Sequence, residues 1–310
     1  MNGLVDLRRL HVLRMVAQHG TVTAAATALH LTPSAVSHQL RQLSHELGVP
    51  LVEPYGRGIR LTGAGETLVR YVDSLAADWE RVRAELAAQS GSGGVRSLRL
   101  CGYPTVVAAM LAPVAKRLMR EHPDLTVRIS EADSVEGYNL VLAREADIAI
   151  VVPGPATPTL DDQKYDHQPL FSEPLDLFVP VGHPLAAKQG VTLADAAREP
   201  WIMAAPGSSD AAALVSAACT AAGFSPRVAH RAKDVLAAAA LVANGLGVAL
   251  EPRLAPIPAH YPVVRVPLAD APSRHILTCV RRGSDRQPAI ALGLRALREV
   301  SDGAARTGAG

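Results

Sequence analysis

Ser34, Ser37, His38, Arg41 and His45 crowd one short stretch, and their spacing puts all five on one face of an α-helix. Hydroxyls, imidazoles and a guanidinium can grip phosphate oxygens and read base edges. Short serines near the start of such a helix, after Pro33, let it sink into a groove, so that Arg41 reaches a guanine edge or a phosphate. The opposite face carries Val36, Leu40, Leu43 and Leu47, an apolar stripe expected to be buried. Any amphipathic helix with a solvated polar face fits this pattern too, so the neighbouring elements must decide.

Those neighbours have the right form. A first helix runs from Leu7 to about Gln18, with Leu10, Leu13 and Ala17 on one side and Gly20 available to end it. Thr21 is a suitable cap for a short alanine-rich helix, Val22 to Leu29, which must pack close to its neighbour. After a break at His30-Leu31, Thr32-Pro33 supplies a cap followed by proline at the first helical position, and the third helix stops at Gly48. A short helix, a tight break and a longer polar-faced helix make a helix-turn-helix. Residues 51–61 then read as a two-stranded wing, its tip carrying Arg57 and Arg60 between glycines for backbone or minor-groove contact. Over residues 1–61, six arginines oppose Asp6, Glu46 and Glu53, a local charge of +3 in a chain of only +2 overall. Five of the eleven histidines lie here as well, a modest local reserve of positive charge.

From Thr62, a good cap, a long helix is expected over residues 62–88. Its apolar positions Leu68, Val72, Leu75, Trp79, Val82 and Leu86 alternate steps of four and three, a coiled-coil seam read as a dimerisation arm. Two-fold symmetry would set two recognition helices roughly 34 Å apart, or a multiple of it. Residues 89–97, with Gln89-Ser-Gly-Ser-Gly-Gly94, form a flexible hinge by composition.

Beyond the hinge, strand and helix patterns alternate as in an α/β domain with a largely parallel sheet. Strands are expected at Leu98–Tyr103, Thr126–Glu131, Ile148–Val152, Leu175–Val181, Trp201–Met203, Arg227–Arg231, Val248–Leu250 and Arg274–Val280. Between them fall helices near Val106–Glu121, Val135–Ala143, Ala211–Ala222 and Val235–Asn244, with Ala289–Val300 closing the domain. The domain, residues 98–302, divides into one lobe of about 98–162 with 268–302 and another of about 163–267; residues 303–310 read as a disordered tail. Ligands of open α/β sheets sit at the carboxyl ends of strands. Two helix starts there could attract an anion through their amide groups: Tyr103-Pro104-Thr105 and Gly207-Ser208-Ser209-Asp210. For Ser208 and Ser209, plain N-capping is the competing reading. A small, carboxylate-bearing effector is the expectation.

Other classes are disfavoured. With 48% hydrophobic and 19% charged residues the chain has ordinary globular composition, and no apolar run reaches the ~18–20 residues needed to span a bilayer. Met1 to Arg9 carries Asp6, Arg8 and Arg9 with no apolar stretch behind them, so no signal peptide is expected. The three cysteines, 101, 219 and 279, are scattered and without a CxxC, which fits a reducing cytoplasm and buried, inert thiols. Catalytic signatures are missing: no GxSxG, HExxH, P-loop or GxGxxG. Asp161-Asp162 reads as a solvated loop pair rather than a metal site. No enzyme activity, cofactor or metal is expected.

The N-terminal quarter resembles the LysR-type transcriptional regulators. The matching runs are Leu10 to Leu29, Leu31-Thr-Pro-Ser-Ala-Val-Ser-His-Gln-Leu-Arg-Gln-Leu43, Glu46-Leu-Gly-Val-Pro-Leu51 and Gly56-Arg-Gly-Ile-Arg-Leu-Thr-Gly-Ala-Gly65, in order and at the family's spacings. A looser likeness continues to about residue 300. The resemblance implies a winged helix-turn-helix, a linker helix and a two-lobed effector domain like a periplasmic binding protein. It places Pro33, Ser34, Ser37 and His38 nearest the bases and Arg57 or Arg60 as the wing arginine. It puts effector contacts at both helix starts, with lesser ones at Ser130, Val152 and Asn244-Gly245-Leu246-Gly247; by itself, that last GxG is usually a turn before a strand. The chain departs from the family twice: His38 stands where many relatives have arginine, and Val52-Glu53-Pro54 replaces Phe-x-Arg. The implied partners are double-stranded operator DNA, a small-molecule effector and a second copy of the chain as homodimer or homotetramer, with RNA polymerase a further candidate. The alternative is a small-molecule-binding protein or enzyme on the same two-lobed fold, its N-terminal helices serving assembly; exposed Ser37, His38 and Arg41 would argue against it. A nonspecific nucleoid-type binder is disfavoured by the net charge of +2.

Overall fold

The computed structural model describes residues 6–56, 58–89, 96–205 and 210–307, with side chains omitted at 87–89, 96, 210, 211 and 302–307. The chain divides into two compact units, residues 1–83 and 84–310.

In the first unit, α1 (Leu7–His19), α2 (Val22–Ala28) and α3 (Pro33–Leu47) start and stop where local chemistry dictates. Asp6, Thr21 and Thr32 each cap a helix by accepting a backbone N–H, and Gly20 and Gly48 end helices in the left-handed conformation. Between α2 and α3, His30 takes a positive φ of 54° while the Leu31 amide reaches back to Ala26 O at 2.9 Å, which closes the turn tightly. Leu10, Leu13 and Val16 pack with Ala25, Ala26, Val36, Leu40, Leu43, Leu51 and Val72 in one core. Leu47 corrects the expected stripe. It is 37% exposed because the core ends a turn earlier, at Leu43.

The wing is β1 (Val52–Tyr55) paired antiparallel with β2 (Gly58–Leu61). Then α4 runs Gly63–Gln89. Thr62 both caps it, accepting from Gly65 N at 3.1 Å, and donates to Pro50 O at 2.7 Å. Gly65 is required there: a Cβ would stand 2.1 Å from Leu51 O.

The second unit is a mixed α/β domain. β3 (Arg96–Gly102), β4 (Leu125–Glu131) and β5 (Ile148–Val151) are parallel, with β3 central. Two long strands join antiparallel, β6 (Tyr165–Pro180) and β11 (Ser273–Arg281), in the order β6-β11-β5-β3-β4. The first helical run comprises α5 (Pro104–Val106), a π-helical turn (Val107–Leu111) and α6 (Ala112–Glu121). The wide turn precedes Pro113, which has no N–H to give and would clash with the carbonyl of a regular turn. This run and the last helix share one core face with Leu98, Leu100, Ile148 and Ile150. On the other face Tyr138 and Val141, from α7 (Ser134–Leu142), pack with Cys101, Ala149 and Cys279.

β6 then leaves that sheet. Its second half pairs with β9 (Ala249–Pro252) and β10 (Val263–Val266) to found a second lobe. The passage between lobes therefore lies near Glu173, later than the boundary expected at 163. Lobe II also holds α8 (Pro184–Ala187), a 3-10 turn (Leu193–Ala196), the parallel pair β7 (Pro200–Met203) and β8 (Arg227–Arg231), α9 (Asp210–Ala221) and α10 (Val235–Ala243). Trp201, fully buried, anchors its core and donates from Nε1 to Ala196 O at 3.1 Å. Asp176, also fully buried, is balanced by Arg253 at 2.7 Å and Arg265 at 3.5 Å. The closing helix α11 spans Pro288–Thr307, beyond the end expected at Val300 and into residues 303–307 of the expected disordered tail, since Ala304, Ala305 and Arg306 favour helix; 308–310 lie outside the described residues. Of the expected hinge, Gln89 is helical, 96 and 97 belong to β3, and 90–95 lie outside the described residues.

Candidate functional site

On α3 the polar face is presented as the spacing required. Pro33, Ser34, His38, Arg41 and His45 are exposed and Ser37 half-buried, while Val36, Leu40 and Leu43 fix the opposite side in the core. Thr32 Oγ1 caps the helix and lies 3.0 Å from Ser34 Oγ. Three other arginines of this unit, Arg9, Arg14 and Arg60, are already engaged. Arg9 meets Glu46 and Gln39, which ties α1 to the far end of α3 and holds the Glu46 carboxyl below its ordinary range. Arg14 lies 2.7 Å from Asp73, a carboxylate only 6% exposed on α4. Arg60 sits 2.5 Å from Glu53, its cross-strand partner, and over the Tyr55 ring at 5.2 Å. Among the described residues Arg41 has neither hydrogen bond nor ion pair, so its guanidinium remains available. Arg57 lies outside the described residues.

The α4 seam splits into two environments. Val72 is buried and Leu68 and Leu75 lean on the core of the first unit. Trp79, Val82 and Leu86 are 56%, 42% and 55% exposed. Three large apolar groups thus stand exposed on the outer half of one helix.

In the second unit the Tyr103-Pro104-Thr105 turn ends β3 and opens the helical run of residues 104–121. Pro104 is exposed, Tyr103 half-buried and Thr105 buried. Ser130, exposed on β4, sits beside Cys101 in the ladder. Val152 follows β5, and its amide donates to the buried Ser134 Oγ at 3.0 Å. Gly207, Ser208 and Ser209 lie outside the described residues. Gly245, with φ 70°, ends α10, and Gly247 lets Val248 N reach Pro200 O at 2.8 Å; a Cβ there would meet that oxygen at 2.5 Å. Backbone packing thereby accounts for Gly247, and the left-handed backbone conformation for Gly245.

Three charged groups at this end of the domain were not singled out from sequence. Arg274 donates to Thr105 Oγ1 at 3.2 Å, lies 4.5 Å from the Tyr103 ring centroid and pairs with Glu173 at 2.7 Å. Glu251 on β9 is pushed up to about 7, chiefly by burial and against the pull of Arg274. An arginine entering an otherwise apolar strand, His275-Ile-Leu-Thr-Cys-Val280, was the signal available for Arg274. The thiols are buried as expected. Burial pushes Cys101 up to about 12 and Cys219 up to about 11, so neither is a nucleophile at neutral pH. Among the described residues no cluster of metal-ligating side chains forms and no helix is long and apolar enough to cross a membrane.

Comparison with known proteins agrees with this anatomy. Residues 7–66 match the bacterial regulatory helix-turn-helix protein, lysR family, and residues 91–302 match the LysR substrate binding domain. The transcriptional dual regulator GltC of Bacillus subtilis is 29% identical over 80% of this chain and 81% of its own length. The Hca operon transcriptional activator HcaR of Escherichia coli is 28% identical over 80% of this chain and 82% of its own. Among solved structures, a full-length OxyR variant from Pseudomonas aeruginosa superposes with a TM-score of 0.63 at 22% identity, covering 96% of each chain. Full-length BenM gives 0.61 at 20% identity, covering 97% of this chain and 98% of its own. With both parts matched in order, the chain belongs to the LysR family and is a DNA-binding transcription regulator that carries an effector-binding domain.

Proposed function

We propose that this regulator reads its operator with Ser34, Ser37, His38 and Arg41 on α3, assisted by the wing arginines Arg57 and Arg60, and pairs with a second copy through Trp79, Val82 and Leu86. The observation that carries the reading is the exposed α3 face. Its guanidinium at Arg41 has no partner among the described residues, while Arg9, Arg14 and Arg60 are each held by a carboxylate. An assembly helix would show apolar groups there instead. The effector is a small molecule bearing a carboxylate, received at Tyr103–Thr105. Support comes from the Arg274 guanidinium, which donates to Thr105 Oγ1 at the start of the helical run, and from the helix dipole, whose positive end favours an anion there.

Fluorescence anisotropy at physiological salt tests the DNA reading. Duplex from upstream of the gene should bind more tightly than an unrelated duplex of equal length, and Ser37→Ala with Arg41→Ala should abolish the difference. Equal, weak binding of both duplexes by the unaltered protein would count against sequence reading by α3. Calorimetric titration with a set of small carboxylates tests the effector class, which fails if neutral compounds bind and carboxylates do not.

A further inference from the structure

Glu173 and Arg274 meet where the chain passes between the two lobes, opposite each other in the β6–β11 ladder and 1% and 9% exposed. Arg274 Nε and Nη2 stand 2.8 and 2.7 Å from Glu173 Oε2. The other carboxylate oxygen, Oε1, accepts from the Leu254 amide at 2.8 Å, in the segment that follows β9 in lobe II. On the lobe I side, Nη2 also donates to Thr105 Oγ1 at 3.2 Å, beneath the Tyr103 ring. An unbroken series of polar contacts thus runs from Thr105 through Arg274 and Glu173 to Leu254.

Each member has its bonding capacity directed by the next. Thr105 Oγ1 accepts from Arg274, so its own proton must point elsewhere, and among the described residues it finds no acceptor. An oxygen of a bound molecule would complete it. Buried charged groups polarise their hydrogen-bond partners strongly, and neither member of the ion pair can abandon the other without leaving a charge in low dielectric. A shift at Thr105 is therefore followed by Arg274, then by Glu173, then by the backbone at Leu254. A solvated pair would let water absorb the shift; this one is closed to it.

We propose that Arg274 and Glu173 form a relay that carries occupation of the Tyr103–Thr105 turn to lobe II, triggered by a ligand presenting an acceptor oxygen to Thr105. Arg274 and Glu173 are positioning residues in this scheme: they act through Thr105 and Leu254 rather than on the ligand. The trigger rests on the effector reading above, whereas the relay itself can be tested without a ligand.

Hydrogen exchange on the full-length protein separates the two. Thr105→Val keeps the side-chain shape and removes the acceptor. It should speed exchange in peptides covering residues 253–256 by about fivefold, the loss of roughly one hydrogen bond's protection, with peptides of α3 unchanged. Thr105→Ser should restore protection. Arg274→Lys, which keeps the charge without the planar fork that serves both neighbours, should reproduce the Val result. If Thr105→Val alters only residues near 103–110 and leaves 253–256 as they were, the relay is wrong. If the exchange result holds while no carboxylate binds, the relay stands and the effector class is the part that fails.

Discussion

Glu53 and Arg60 oppose each other across the wing, carboxylate to guanidinium at 2.5 Å, both largely exposed. The wing thus neutralises one of the two arginines proposed to contact DNA. Replacing Glu53 by Gln should raise affinity for any duplex by several-fold and steepen its salt dependence by about one phosphate contact. Anisotropy titrations between low and moderate salt would show this. An unchanged salt slope would mean that Arg60 never approaches the backbone.

Trp79 stands 56% exposed on the outer half of α4, beside Val82 and Leu86. Substitution by Asp should leave the melting of the protein nearly unchanged while weakening self-association by at least about tenfold, since an aromatic anchor would be replaced by a charge at the seam. Sedimentation equilibrium reads the outcome directly. Association unaffected by Trp79→Asp would move the interface elsewhere.

Gly247→Ala should destabilise lobe II by about 3 kcal/mol, at the upper end of backbone effects. The new Cβ would meet Pro200 O at 2.5 Å, and φ is 153°. Chemical denaturation of the full chain is the measurement. A change below a few tenths of a kcal/mol would return the Gly-Leu-Gly run to the list of ligand contacts.

Glu251 gives the effector domain a pH dependence. Its carboxyl, ordinarily at 4.5, is raised to about 7 mainly by burial, so the folded state holds a proton that the unfolded state releases. Its contribution to stability is complete below pH 4.5 and is lost as pH rises through about 7. Urea midpoints measured across that interval should fall with pH, and Glu251→Gln should flatten the trend. A parallel fall in the variant would assign it to other groups.

Where chemistry is local, the sequence was legible. Thr21, Thr32 and Thr62 cap the helices that their positions announced, and Gly20 and Gly48 end theirs. The α3 face followed from spacing alone. Leu47 continued the apolar period but not the burial, because a period does not say where a core ends. The first half of β6 was missed: Tyr165-Asp-His-Gln-Pro-Leu-Phe171 is polar and carries Pro169, tolerated beside a bulge in the ladder at Ile276/Leu277. β10 was hidden by the prolines around it at 256, 258 and 262. The Glu173–Arg274 pair joins residues 101 apart, and nothing in either neighbourhood names the other.

The route of β6 and β11 has a consequence for synthesis. Lobe II is one uninterrupted stretch between Glu173 and Arg274, but lobe I needs β3 to β5 from before that stretch and β11 and α11 from after it. As the chain leaves the ribosome, the lobe that begins first is finished last. Until β11 arrives, β5 has an unpaired edge, and until Ile290, Leu294 and Leu297 arrive, Leu98 and Ile148 have only the cover of the earlier helical run, residues 104–121. Nascent chains therefore carry an open sheet for the time taken to make a whole lobe, and chains ending early at the C-terminus lose the older lobe while the younger keeps its full set of strands.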